Sequence, residues 1–209
     1  MKLIMLGAPG AGKGTQAAKI CEKYNIPTIS TGAIIRNAIR NATDIGKQAK
    51  TFIDEGLLVP DEVVIGIIKE RLAQSDCENG FILDGFPRTT AQAEALENMG
   101  ISIDKALSIE VPDSVILDRL GGRRECSECG ATYHIRFNPS KDGDKCEKCS
   151  GALITRPDDC EETIMSRLKV YHETTEVLKE FYDKKGKLIK IDGDRDVEEI
   201  TKDVLDSLN

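Results

Sequence analysis

The sequence predicts an α/β fold: a five-stranded parallel sheet flanked by helices, with a cysteine-bearing insert late in the chain. Three observations predict it. Short apolar runs bounded by turn residues alternate with longer segments of helical period. A glycine-rich turn, GAPGAGKGT at 7–15, follows the first apolar run directly. From Gly122 to Asp159 the helical period vanishes, and cysteines, glycines and polar residues take over.

The apolar runs KLIML (2–6), FILD (81–84), ALSIEV (106–111) and KLIKID (187–192) read as buried parallel strands, and PTIS (27–30) supplies a fifth. Helical patterns are expected at 13–24, 31–41, 60–74, 89–99, 112–121, 160–184 and 196–208. Pro60 followed by Asp61 and Glu62 makes a favourable first turn, because proline gives up only an amide that had no partner. Gly100 and Gly186 stand where C-terminal caps belong. On the helix expected at 160–184, Ile164, Leu168, Tyr171, Leu178 and Tyr182 form an apolar stripe, with Arg167 on its flank.

At 209 residues the chain has room for one sizeable core carrying an insertion. A net charge of -7 argues against nucleic acid or an anionic membrane as the principal partner, and leaves open a small anion held by local arginines. No apolar run approaches the ~18 residues of a membrane helix, and Met1 to Leu6 is too short for a signal peptide, so a cytoplasmic protein is expected. Seven cysteines, four of them in two CxxC pairs, suggest metal rather than disulfides in a reducing compartment.

The turn at 7–15 sits between a strand and a helix start, the context in which glycine-rich backbone amides converge on a phosphate. Lys13 adds a point charge for the β and γ phosphates. The plain alternative is a glycine turn with an exposed lysine; strand, spacing and helix together favour the phosphate loop. One detail departs from the common pattern: Gly14 follows Lys13, and the hydroxyl is delayed to Thr15.

With that delay, G-x-P-G-x-G-K-G-T resembles the loop of the nucleoside monophosphate kinases. STG (30–32) with Arg36, EGLLVPD (55–61), LDGFPRT (83–89) with Gln92, LGGRR (120–124) and TRPDD (155–159) resemble adenylate kinase motifs in family order, nearly end to end. The resemblance implies a core at 1–29, 60–121 and 160–209, an inserted helical AMP-binding arm at 30–59 and a zinc-binding ribbon lid at 122–159. It implies reversible, magnesium-dependent transfer between ATP and AMP, giving two ADP, by a monomer. Lys13, Arg88, Arg123, Arg156, Arg167 and Asp84 are then the catalytic group, with Asp84 orienting the water shell of magnesium. ATP falls to Gly10, Ala11, Gly12, Lys13, Gly14, Thr15, Arg119, Arg123, Thr132, Tyr133 and Arg195. AMP falls to Thr31, Arg36, Leu57, Leu58, Val59, Gly85, Phe86, Pro87, Arg88, Gln92, Arg156 and Arg167.

The residues support this independently at several points. Gly85 and Pro87 turn the chain at a strand end so that Arg88 reaches across the cleft. Gln92, one helical turn beyond Arg88, offers a donor and an acceptor in one plane, matching the edge of adenine, though without the resemblance a solvent-exposed glutamine on a helix is the plainer reading. Phosphoryl transfer needs placed positive charge more than a base, which suits a chain whose only histidines are His134 and His172. Another nucleoside monophosphate as acceptor, GTP as donor, or a nucleotide-binding switch with poor turnover are the competing readings; the arginine cluster disfavours the last.

Cys126-x2-Cys129 and Cys146-x2-Cys149 lie sixteen residues apart, the spacing of a four-cysteine zinc ribbon. Four thiolates close the tetrahedron, so the metal is structural, though iron also accepts four thiolates. A single redox CxxC is the weaker alternative. Zinc ribbons also bind nucleic acid, but between Gly122 and Asp159 seven lysines and arginines are balanced by seven acids, a poor match for a phosphate backbone.

Overall fold

The computed structural model describes all residues from 1 to 209. Its sheet holds five parallel strands: β1 (Lys2–Leu6), β2 (Thr28–Ser30), β3 (Phe81–Asp84), β4 (Lys105–Glu110) and β8 (Leu188–Asp192). They lie in the order β2-β3-β1-β4-β8. Ile4 pairs with Leu83 on one side and with Ala106 on the other. The chain passes to opposite sides of β1 when it forms β3 and β4, so the strand-order switch lies at the carboxyl end of β1, where ligands collect in open α/β sheets.

The period of two along each strand splits the interior into two cores. Ile4, Leu6, Leu83 and Ala106 join the cluster on one face, while Leu3, Met5, Ile82, Leu107 and Ile109 join that on the other. Both faces are covered by helices, which is why these strands read as continuous apolar runs rather than alternating ones.

The helices are α1 (Lys13–Tyr24), α2 (Thr31–Arg40), α3 (Asp44–Asp54), α4 (Asp61–Leu72), α5 (Thr90–Asn98), α6 (Asp113–Gly121), α7 (Glu161–Val170), α8 (Val177–Asp183) and α9 (Val197–Asp206). Gly100 and Gly186 take positive φ at the ends of their helices. Pro60 is the N-cap of α4 rather than its first residue.

Two larger features also differ from expectation. Residues 44–54 form α3, for which the sequence pattern gave no expectation. Thr43 caps it by accepting from the Gly46 amide at 3.1 Å. Its polar surface hides the period, because only Gly46 and Ala49 are buried.

The single helix expected at 160–184 is divided by a π-helical turn at Tyr171–Thr175. The wider turn shifts the phase of the apolar stripe. Ile164, Leu168 and Tyr171 enter one core, and Leu178 and Tyr182 the other. One straight helix would carry the stripe along a single face.

The residues from 122 to 159 hold a separate antiparallel sheet, β6-β5-β7, made from β5 (Arg123–Cys126), β6 (Thr132–His134) and β7 (Leu153–Ile154). Its buried apolar residues are only Cys126, Tyr133 and Cys146. No helix of the protein is long and apolar enough to cross a membrane.

Candidate active site

The loop after β1 closes tightly on itself. Gly7 has φ +133, and a Cβ there would lie 2.5 Å from the carbonyl oxygen of Ile109, so only glycine lets the loop pass β4. Lys13, first residue of α1, donates from Nζ to the carbonyls of Gly7 at 2.8 Å and Ala8 at 2.7 Å. Burial of the ammonium holds its pKa down to about 8; Asp84 pulls upward, while Arg88, Arg167 and Arg123 push downward. Thr15 and Gly14 are exposed at the same helix start.

Asp84 ends β3 facing this loop: its Oδ2 lies 3.7 Å from where a Cβ on Gly14 would be. The carboxylate makes no ion pair and accepts no hydrogen bond, unlike the other cleft acids. A larger side chain in place of Gly14 would narrow the space between loop and carboxylate.

On the other side of the cleft, Gly85 to Arg88 turn sharply, with the Phe86–Pro87 peptide cis. Arg88 folds back, donating from Nε to the Gly85 carbonyl at 2.9 Å, and Thr31 donates to the same carbonyl at 2.8 Å. Burial, then the neighbouring Arg167, lowers Arg88 to about 10. Leu57 is exposed, Leu58 half-buried and Val59 buried along the strip that follows α3. Thr175 in the π-turn donates to the Arg88 carbonyl at 2.9 Å, so the break in the expected helix tethers this turn.

Gln92 is almost wholly buried, and its amide is engaged at both ends. Oε1 accepts from the Arg88 backbone at 2.7 Å, and Nε2 donates to Asp61 at 2.7 Å. One amide hydrogen and one lone pair remain, so any contact with a base uses those.

Three further arginines enter from the insert and the helix after it. Arg123 donates to Asp159 from Nε at 2.7 Å and Nη2 at 2.5 Å. Arg167 donates to the Asp158 carbonyl at 2.9 Å and to Asp159 Oδ1 at 3.2 Å. Arg156 pairs with Glu125, which also lies 3.7 Å from Arg36 on α2. Burial, then the nearby Arg123, lowers Arg156 to about 10. Burial would raise Asp158, but Arg167 and its neighbours more than offset this and hold it below the usual range.

Arg119 links the glycine loop to the turn after β8, reaching the Ala11 carbonyl at 3.3 Å and that of Gly193 at 2.7 Å. Its neighbour Arg195 is occupied with Asp203 at 2.5 Å and Asp192 at 3.4 Å. Thr132 is exposed. Tyr133 turns inward instead: its hydroxyl contacts Cys146 Sγ at 3.4 Å and accepts from the Glu147 amide at 3.0 Å. Arg124 stays outside the cleft, bonded to backbone carbonyls of Gly121 and Arg123.

The carboxylates Glu125, Asp158 and Asp159 were not foreseen as partners of these arginines. The adjacency of two acids to Arg156 in TRPDD was the available signal. For Glu125 there was none, because its pairing depends on how the insert folds back.

The four sulfurs of Cys126, Cys129, Cys146 and Cys149 lie within 4.8 Å of one another. Cys126 to Cys149 is 3.4 Å and Cys129 to Cys146 is 3.5 Å. Thiolates ~2.3 Å from a tetrahedral zinc stand about 3.8 Å apart, so the donor set fits such an ion. The two halves repeat one turn: Gly130 N donates to the Cys126 carbonyl and Ser150 N to that of Cys146, while Cys126 N and Cys146 N reach Ala131 and Gly151. The Tyr133 hydroxyl hydrogen-bonds the Cys146 sulfur and favours its thiolate, the form that binds metal.

A parallel sheet with a phosphate loop at its switch point, an opposing arginine turn and a ring of further guanidiniums defines a nucleotide-dependent phosphoryl transferase of the phosphate-loop class. The comparisons narrow this. Residues 5–187 match the family model for adenylate kinase. The chain is 53% identical to an adenylate kinase of Acetivibrio thermocellus, covering 100% of this chain and 98% of that protein. It is 54% identical to one from Caldicellulosiruptor saccharolyticus, over 100% and 99%, and 53% identical to one from Archaeoglobus fulgidus, over 98% and 96%. The chain belongs to the adenylate kinase family.

Proposed function

We propose that this enzyme transfers the terminal phosphoryl group of ATP reversibly to AMP, with the donor on the Lys13 loop and the acceptor phosphate against Arg88 and Arg36. The observation that carries this reading is the convergence of Asp84, Arg88, Arg167 and Arg123 on the Lys13 ammonium, each close enough to act on its charge. Such crowding of cations is costly without an anion and matches the charge spread over a transferring phosphoryl group.

The residues divide the work. Lys13 releases the Gly7 and Ala8 carbonyls to bind β and γ oxygens, and the amides from Gly10 to Thr15 cradle the same phosphates. Arg119, with Arg195, Thr132 and the backbone around Tyr133, borders the base of ATP. Thr31, Leu57 to Val59, Gly85 to Pro87 and Gln92 border AMP. Arg123, Arg156 and Arg167 bind oxygens that gain charge as the bond shifts, each charge-assisted hydrogen bond contributing about 1.5–3 kcal/mol. Holding the two nucleotides in line contributes another ~7–11 kcal/mol. No base is required, because the acceptor phosphate is already ionised.

Asp84 and Thr15 would hold hydrated magnesium, which supplies neutralisation of the β and γ oxygens. Zinc is the proposed occupant of the four-cysteine cluster, with a structural role. A monomer in the cytoplasm, acting on free nucleotides rather than nucleic acid or membranes, completes the reading; the net charge of -7 supports the last part.

The test is to mix purified protein with magnesium, ATP and each of AMP, CMP, UMP and GMP, following ADP. ADP is expected with AMP above the others, and its absence with AMP overturns the reading. Lys13→Met should lower turnover by a factor of 100 or more, with the fold intact.

A further inference from the structure

Arg36 and Arg156 come from different parts of the chain, α2 and the segment after β7, yet converge on one anion. That anion is the chain's own Glu125. Its Oε1 lies 3.7 Å from Arg36 Nε and its Oε2 pairs with Arg156 Nη2, with the side chain only 17% exposed. The Nε atoms of both arginines are buried without a hydrogen-bond partner. The carboxylate therefore neutralises the two guanidiniums but leaves two donors unmet, an arrangement that costs free energy when those donors are dry.

We propose that Glu125 is a specificity-setting residue of the acceptor site: it competes for the position of the acceptor phosphate between Arg36 and Arg156, and AMP binds by displacing it. This rests on the reading of those two arginines as phosphate ligands. A nucleoside monophosphate brings roughly two charges and three terminal oxygens, against one charge and two oxygens in the carboxylate, and reaches the unmet Nε donors as well. An uncharged nucleoside or a singly charged cyclic phosphate lacks that advantage and leaves Glu125 in place. The contact is held in register by Arg40, at the end of α2, which donates to the Ser127 and Glu128 carbonyls of the first CxxC turn. Glu125 thus meets the arginines when the insert is seated on α2.

Because the bound form must expel the carboxylate, apparent AMP affinity is reduced by the fraction of molecules in which the site is already filled. The experiment is calorimetric titration of AMP, without ATP, into the full-length zinc-loaded enzyme. Zinc content and melting temperature are measured for every variant. Glu125→Gln should bind AMP roughly fivefold to tenfold more tightly, with a matching fall in KM for AMP and an unchanged KM for ATP. Glu125→Asp should return affinity toward wild type, and its gain over wild-type selectivity against adenosine and cyclic AMP should be nil. Glu128→Gln, which removes an equal charge nearby without touching an arginine, should bind AMP as wild type does.

Arg36→Ala should weaken AMP at least tenfold. If it does, and Glu125→Gln gains nothing or Glu128→Gln gains as much, competition by Glu125 is overturned while the acceptor site stands. If Arg36→Ala binds AMP normally, the acceptor-site reading itself falls.

Discussion

Arg123 and Asp159 face each other at the neck of the insert, thirty-six residues apart in sequence, with both carboxylate oxygens accepting from one guanidinium. The Asp159 carboxylate is wholly shielded from solvent, and its Oδ1 also accepts from Arg167 at 3.2 Å. One acid thus aligns two arginines that arrive from opposite ends of the insert. Replacing it strands the buried Arg123 and leaves Arg167 with Asp158 alone, so Asp159→Ala should cost about 3–5 kcal/mol. Turnover should fall together with stability, because both guanidiniums lose their orientation. Asp159→Asn keeps the shape and one acceptor, and should lose less. Denaturant unfolding of the two variants beside wild type checks this; an unchanged midpoint for Asp159→Ala would mean the pair is energetically idle.

Lys13 carries a pH signature with a definite sign. Its pKa lies at about 8 in the ligand-free fold, against 10.5 ordinarily, because burial disfavours the charge. Phosphate oxygens reverse that preference, so ATP binding at about pH 9 should take up close to one proton, falling toward none near pH 7. Calorimetry in buffers of different ionisation enthalpy measures the uptake, and Lys13→Met should abolish it. The same shift acts on stability. Between about pH 8 and 10.5 the unfolded chain binds a proton that the native state has lost, so this group makes stability rise with pH in that window. Ligand-free Lys13→Met should lack the rise and melt above wild type at neutral pH.

The sheet was legible in the sequence because burial on both faces leaves KLIML, FILD and ALSIEV mostly apolar, with Ser108 the one polar residue buried inside a run. The phosphate loop was legible because its glycines are demanded by close backbone passage, as at Gly7 against Ile109. What escaped depended on tertiary partners. The period of α3 was hidden by its exposed polar residues, and the π-turn at Tyr171 exists only because two separate cores must be fed by one stripe. Tyr133 looked free to border a base, yet a cysteine cluster that forms only after folding draws its hydroxyl inward. Gln92 was expected to offer a free amide to a base, yet Asp61, thirty-one residues earlier, binds half of that amide.

The packing within residues 30–59 depends on one close approach. A Cβ on Gly46 would fall 2.1 Å from the Ala38 carbonyl oxygen and 2.6 Å from the Ile39 amide nitrogen, because α3 packs backbone to backbone against α2. Gly46→Ala must separate the helices, at about 1–3 kcal/mol. Since α2 carries Arg36 and the strip after α3 carries Leu57 to Val59, KM for AMP should rise while KM for ATP holds. Steady-state kinetics with each nucleotide varied in turn reads the split. Equal changes in both constants would show that the arm is not an acceptor-side unit.

The insert has too little apolar interior to fold by burial alone: three buried residues, with Ala131 and Leu153 packed against them. Metal binding of ~10–16 kcal/mol would exceed anything that core supplies. The consequence reaches the cleft, because β5 runs from Arg123 to Cys126 and Arg156 follows β7 directly. Cys146→Ser, or chelation, should therefore release residues 123–154 to rapid hydrogen exchange while β1, β3 and β4 stay protected. Activity should disappear at temperatures where the main sheet is still folded, and wild-type protein should carry one zinc ion per chain. Metal-free protein with unchanged exchange in β5, β6 and β7 and unaltered melting would refute the structural role. Retained exchange protection with lost turnover would instead place the metal's effect on the arginines themselves.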